Sequence, residues 1–290
     1  MPLLAWIILF AAVGGIASAA FAGVFLLVPE AAGRRLLPHF ISYATGALLG
    51  AALLALLPEA IERVGPAGAH AIGAALLVGL GVFFVMEKLV LWWHTHSNGH
   101  DPGRDSHSGQ GHEGAHDPGG GHDPDHHPGH DHTHGHDHGR DEASGVLVII
   151  GDSIHNALDG VLIAAAFLTS FPLGLVTTFA VAAHEIPHRV GDFAILVHSG
   201  MSRGRALVMN MATGLTSIMG AIAAYFGLQK AIGTLPYALA VAAAGFLYIA
   251  VAGLIPGLHR RTDPRTSLAQ VILMGLGVGT IAWAESLAHQ

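Results

Sequence analysis

Residues 144–199 read SGVLVIIGDSIHNALDGVLIAAAFLTSFPLGLVTTFAVAAHEIPHRVGDFAILVHS. Two stretches within them, 144–169 and 173–199, are long enough to cross a bilayer, whose hydrocarbon core takes about 20 helical residues. In the first, Asp152, His155, Asn156 and Asp159 stand at i, i+3, i+4 and i+7, on one face of a helix. In the second, His184, His188 and Asp192 stand at i, i+4 and i+8, again on one face, with Glu185 beside His184 and one turn before Arg189. A charged side chain at membrane depth costs several kcal/mol, from about 2.5 upward. Packing does not account for so many on two adjacent spans. A buried polar network or a proton relay is the plain alternative. Pro187 removes one backbone hydrogen bond and frees the carbonyl of Ala183, so a bend is expected among these residues.

The rest of the chain agrees with a membrane protein. Of 290 residues, 52% are hydrophobic and 11% charged, against about 25% charged in soluble domains. Spans are expected near 3–28, 38–61, 69–93, 144–169, 173–199, 204–226, 234–257 and 267–287, which makes an all-α integral membrane fold of eight helices. Ala17-Ser18-Ala19 resembles a signal-peptide cleavage site, but no Lys or Arg precedes the apolar run, so a retained helix is expected. The 39 glycines favour close helix packing. Glu87-Lys88, near the end of the third span, reads as a self-satisfying interfacial pair.

Three parts follow: residues 1–93 with three spans, 94–142 as a linker, and 143–290 with five spans. The linker holds 14 of the 22 histidines, ten acids and two arginines. It lacks the apolar residues of a core, so disorder is expected. His130, His132, His134, His136 and His138 form its densest run and suit a weak, multivalent metal buffer. The remainder of the chain sums to +1. No basic surface is left for nucleic acid, and no phosphate-binding loop is visible. Nine arginines fall on the linker's side of the spans, while only Arg63 and Lys230 fall on the other. The positive-inside rule then places the linker in the cytoplasm and both termini outside.

The chain has no cysteine, so a metal site must use His, Asp, Glu, Asn or backbone oxygen. Two or three carboxylates with two imidazoles suit Zn²⁺, Fe²⁺, Mn²⁺ or Cd²⁺. Without thiolates, such a set binds exchangeably, as a carrier requires.

His155-Asn156-Ala157-Leu158-Asp159-Gly160, His184-Glu185-Ile186-Pro187-His188 and Gly191-Asp192-Phe193-Ala194 resemble the ZIP family of zinc- and iron-regulated transporter-like proteins, in its histidine-rich branch. Leu56-Leu57-Pro58-Glu59-Ala60 and Ala244-Gly245-Phe246-Leu247-Tyr248 are similar too. The resemblance implies a 3+2+3 bundle, with spans 1–3 and 6–8 as inverted repeats around spans 4 and 5, and it is compatible with a homodimer. It implies carriage of a divalent metal, Zn²⁺ first, across a plasma or bacterial inner membrane into the cytoplasm, and no enzymatic activity. His155, Asp159, His184, Glu185 and His188 would hold the main metal, and Asn156, Asp159, Glu185 and His188 would line an adjoining position. Asp152, Arg189 and Asp192 are auxiliary candidates. The chain departs from the family pattern at Ala51 and Ala55, where Asp and His are common, and at Gly253 and Gly257, where acids are common. Arg189 stands where the motif usually ends in Glu, and is expected to pair with Glu185 and bring a fixed positive charge.

Three other readings compete. His184-Glu185-Ile186-Pro187-His188 matches the H-E-x-x-H pattern of zinc peptidases, including intramembrane ones. Pro187 between the histidines, and an Asp-Gly element (Asp159-Gly160) that precedes the motif, speak against it. A cation-diffusion-type exporter would also carry a histidine-rich loop, but usually has six spans and a further cytoplasmic domain. A metal sensor that moves nothing is the third.

Overall fold

The computed structural model describes residues 2–25, 28–97, 138–259 and 264–288. Among them eight helical rods follow one another: α1 (3–25), α2 (30–64), α3 (Ala69–Ser97), α4 (His138–Thr169), α5 (Phe171–His198), α6 (Arg203–Gln229), α7 (235–259) and α8 (Pro264–Ala288). The described residues contain no strand. The histidines 130, 132, 134 and 136 lie outside the described residues, as does the side chain of His138.

Local sequence explains the turns that set the rods antiparallel. Ser170 alone separates α4 from α5. Its backbone is extended, its Oγ accepts from the Leu173 N–H at 3.3 Å, and Pro172 opens the next helix. The chain leaves α5 through Gly200, whose φ of 89° suits glycine. The Gly200 N–H donates to the Val197 carbonyl and that of Met201 to Leu196, satisfying the last turn. Turns of π-helix widen α1 at Val13–Ala17, α2 at Ala51–Leu56 and α7 at Ile249–Leu254. The last two stand just before Pro58 and Pro256, and the wider turn absorbs the hydrogen bond that proline cannot donate. α5 runs on as helix through Pro187.

Glycines bring the rods together. A Cβ on Gly160 of α4 would lie 1.8 Å from the Ser217 carbonyl oxygen of α6, and one on Gly220 would lie 1.9 Å from that of Ala157. Gly46 of α2 and Gly277 of α8 make the same approach, at 2.0 Å from Met274 and 2.3 Å from Tyr43. Backbones in such contact gain dispersion along their length, which is how membrane helices associate where hydrophobic burial gives no drive. α1 packs on α4, α5 and α6, and α3 packs on α7. The first helix is thus part of the bundle, with Ser18 and Ala19 buried.

The outer surface is apolar. Leu77, Met219, Val271 and Trp283 are between 65% and 71% exposed, an arrangement suited to lipid rather than water. Seven of the eight rods are long and apolar enough to cross a membrane. α5 has 28 residues, ample length, but His184, Glu185, His188, Arg189 and Asp192 dilute its apolar character. Protein rather than lipid surrounds His184, Glu185 and Arg189, which are buried among the neighbouring helices. Glu87 and Lys88 correct the expected pairing: adjacent helical residues do not face each other. Glu87 accepts from the Tyr248 hydroxyl of α7, and Lys88 stands over the Phe84 ring at 5.7 Å.

Candidate metal centre

α4 and α5 are antiparallel and meet along their polar faces, so residue numbers rise on one as they fall on the other. His155 and Asp159 of α4 thereby meet His184 and Glu185 of α5, with one ligand atom from each residue within 4.8 Å of all the others. His155 Nε2 lies 3.3 Å from His184 Nε2, 3.3 Å from Glu185 Oε1 and 3.8 Å from Asp159 Oδ2. His184 Nε2 lies 3.5 Å from Asp159 Oδ2 and 3.8 Å from Glu185 Oε1. A tetrahedral ion with bonds of about 2.1 Å has ligand-to-ligand edges of about 3.4 Å. The group is therefore sized for one ion with little adjustment.

The surroundings prepare these atoms as ligands. His184 Nδ1 sits 3.1 Å from the Ala180 carbonyl. Donation there leaves Nε2 with its lone pair directed at the group, the usual way a second hydrogen bond fixes a ligating imidazole. Asp159 Oδ2 and Glu185 Oε1 are buried and make no hydrogen bond. Unpaired buried carboxylate oxygens are expensive, and a cation between them and the imidazoles would remove that cost. His155 is 18% exposed and is the one member open to an approaching ion.

His188 is not in this group. It joins Asp152 and Asp192 in a second, half-open one, with Nδ1 2.8 Å from Asp192 Oδ2 and 3.9 Å from Asp152 Oδ1. Its ring stacks on His155 with centroids 5.2 Å apart, so the two groups adjoin. Asn156 also stands apart: its Nδ2 donates to the Asp152 carbonyl and Oδ1, and its Oδ1 accepts from Arg189. Both ends of the amide are thus engaged within the protein.

Arg189 is wholly buried. Its Nε donates to Glu185 Oε2 at 2.8 Å, in the expected pair, and an Nη donates to Asp152 Oδ2 at 2.6 Å. The same Nη reaches the carbonyl and Oδ1 of Asn210, both at 2.8 Å, and Thr213 Oγ1. Asn210 and Thr213, on α6, were not anticipated from sequence. A single Asn or Thr in an apolar span gives no more signal than a packing residue, and only the fold reveals the partner.

The H-E-x-x-H reading needs both histidines on one metal and a glutamate free to act as base. Here His184 and His188 fall in different groups, and Glu185 is paired with Arg189.

The profile of the ZIP zinc transporter family matches residues 3–284. Zinc transporter ZIP13 of Danio rerio is 31% identical over 301 aligned residues, covering 94% of this chain and 86% of that protein. Zinc transporter ZIP13 of Homo sapiens is 32% identical over 269, covering 85% and 70%. Zinc transporter ZIP4 of Homo sapiens is 40% identical over 120, covering 41% and 18%. A match running through all eight rods, on an all-helical membrane protein with a His/Asp/Glu group at its centre, establishes that this chain belongs to the ZIP zinc transporter family.

Proposed function

We propose that this protein carries a divalent transition metal, zinc first and Cd²⁺, Fe²⁺ or Mn²⁺ secondarily, into the cytoplasm through the group His155, Asp159, His184 and Glu185. The observation that carries the reading is the pair of buried, unbonded oxygens, Asp159 Oδ2 and Glu185 Oε1, facing two imidazole nitrogens at ligand spacing. The relatives' printed names support zinc as the substrate.

An ion from outside sheds water on reaching the four residues and is held from both helices, with His155, nearer the linker than Asp159 and stacked on His188, on the side of release. Asp152, His188 and Asp192 lie a turn nearer the start of α4, which follows the histidine-rich linker in sequence, and the end of α5. They offer looser ligands on the way to the cytoplasm, where the linker histidines 130, 132, 134, 136 and 138 buffer the ion. A negative-inside potential of 100 mV favours entry of a divalent ion by about 4.6 kcal/mol. Helix contacts support the 3+2+3 arrangement. Exchanging α1 with α6, α2 with α7, α3 with α8 and α4 with α5 maps the α2–α8 contact onto α7–α3, and α4–α6 onto α5–α1. Such a repeat suits alternating access by rocking of one helix group on another.

Zinc accumulation by cells expressing the protein tests direction: collapse of the membrane potential should lower it several-fold. Accelerated zinc loss from preloaded cells would overturn inward transport. The cysteine-free chain makes topology simple to read. A membrane-impermeant maleimide should label Lys230→Cys on intact cells of the plasma or inner membrane, and label Met201→Cys only after permeabilisation. The reverse pattern would invert the orientation.

Protons compete with the metal, because imidazole binds only when neutral. Lowering the external pH should cut initial uptake at low zinc, and saturating zinc should restore it. A flat profile would argue against histidine ligation.

A further inference from the structure

Around Arg189 the protein has built a cage made only of oxygen. Glu185 Oε2, Asp152 Oδ2, Asn156 Oδ1, the Asn210 carbonyl and Oδ1, and Thr213 Oγ1 all converge on one guanidinium. The accepting oxygens come from α4, α5 and α6. All five residues are 5% exposed or less. Two carboxylates, two amide oxygens, a backbone carbonyl and a hydroxyl are the ligand types that hard divalent cations take. The cage adjoins the four-ligand group, since Glu185 gives Oε1 to that group and Oε2 to Arg189.

We propose that Arg189 is a resident cation: it fills a place that would otherwise take a second divalent ion, and so fixes the centre at one transported metal. The proposal rests on the four-ligand group being the metal site.

Charge supports this directly. Asp152, Asp159 and Glu185 are the buried carboxylates here, each 5% exposed or less, and Arg189 is the buried cation among them. The three carboxylates less the guanidinium leave two negative charges, which one divalent ion neutralises. A second ion would leave two positive charges unbalanced in a region where each is costly. Nor can the guanidinium readily swing aside, because doing so strands acceptors on three helices. Arg189 also sets Glu185. With Oε2 held by the guanidinium, the carboxylate presents Oε1 alone to the metal, as a one-oxygen ligand of reduced charge. That suits an ion that must leave.

Zinc-edge anomalous diffraction from crystals of the full-length protein counts ions position by position, so the linker histidines do not confuse the result. One peak is expected among His155, Asp159, His184 and Glu185 in the wild type, with Arg189 in its cage. In Arg189→Ala a second peak should appear among Asp152, Asn156, Asn210 and Glu185. In Arg189→Lys, which keeps a cation there, a single peak is expected. A wild-type peak inside the cage, among Asp152, Asn156, Asn210 and Glu185, would overturn the resident cation while leaving the metal centre intact, whatever the variants do. An empty cage in a folded Arg189→Ala would overturn it too. No peak within the four-ligand group would overturn both readings.

Discussion

His184→Ala should abolish zinc influx while the protein still inserts and folds. His184 is 1% exposed, and its Nε2 is oriented from behind by the Ala180 carbonyl. Its replacement removes one of the four atoms proposed to hold the metal and leaves room for water, but no bulk is added. Loss of a residue that merely orients a metal ligand typically lowers affinity or activity about 10- to 100-fold, and loss of a ligand itself should exceed that range. Asp159→Ala should match it, since Asp159 Oδ2 is one of the two unbonded buried oxygens. His188→Ala is the informative contrast. His188 is 42% exposed and belongs to the half-open group on the path of release, so its loss should slow delivery while leaving the zinc dependence of uptake nearly unchanged. Uptake at the wild-type level from His184→Ala, at matched expression, would remove the four-ligand group from the pathway. An equal collapse in His188→Ala would place that residue in the deep group.

Gly160→Ala should destroy the folded protein, although it adds one methyl group and touches no ligand. That methyl would sit 1.8 Å from the Ser217 carbonyl oxygen and 2.9 Å from the Ala221 nitrogen, both backbone atoms of α6 that no rotamer change can move. α4 and α6 must part, and the displacement passes to Asp159 next door and to Asn210 and Thr213 on the partner helix. Overpacking usually costs about 1–3 kcal/mol, and a backbone collision should reach or pass the top of that range. Thermal melting followed by size-exclusion chromatography measures it. Gly227→Ala, where nothing lies within 4 Å of the added methyl, is the control on the same helix pair. Equal stability of the two variants would mean that α4 and α6 do not make the backbone contact at Gly160.

Much of this arrangement is legible in the sequence. Apolar runs announce membrane helices because lipid imposes the same rule on every exposed residue. Helical spacing likewise showed that Asp152, His155 and Asp159 share a face, as do His184, His188 and Asp192. Spacing along one helix cannot say which residue meets which across two, however. That depends on the offset between antiparallel rods, set between α4 and α5 by the single-residue turn at Ser170. The offset brings His184 to Asp159 and leaves His188 beside Asp152 and Asp192. Asn156, expected to line an adjoining metal position, instead bonds the guanidinium. The Glu185–Arg189 pair was legible because it is local, four residues apart on one helix. Its closure by Asn210 and Thr213 was not, because those residues come from a third helix.

The most direct measurement is zinc influx into proteoliposomes that hold a trapped zinc fluorophore, with wild type and His184→Ala reconstituted in parallel and insertion verified. A fluorescence rise in wild-type vesicles, steepened by a negative-inside potential and absent from His184→Ala vesicles, is the expected result. Equal influx through both proteins, or none through the wild type, would contradict passage of the metal between α4 and α5.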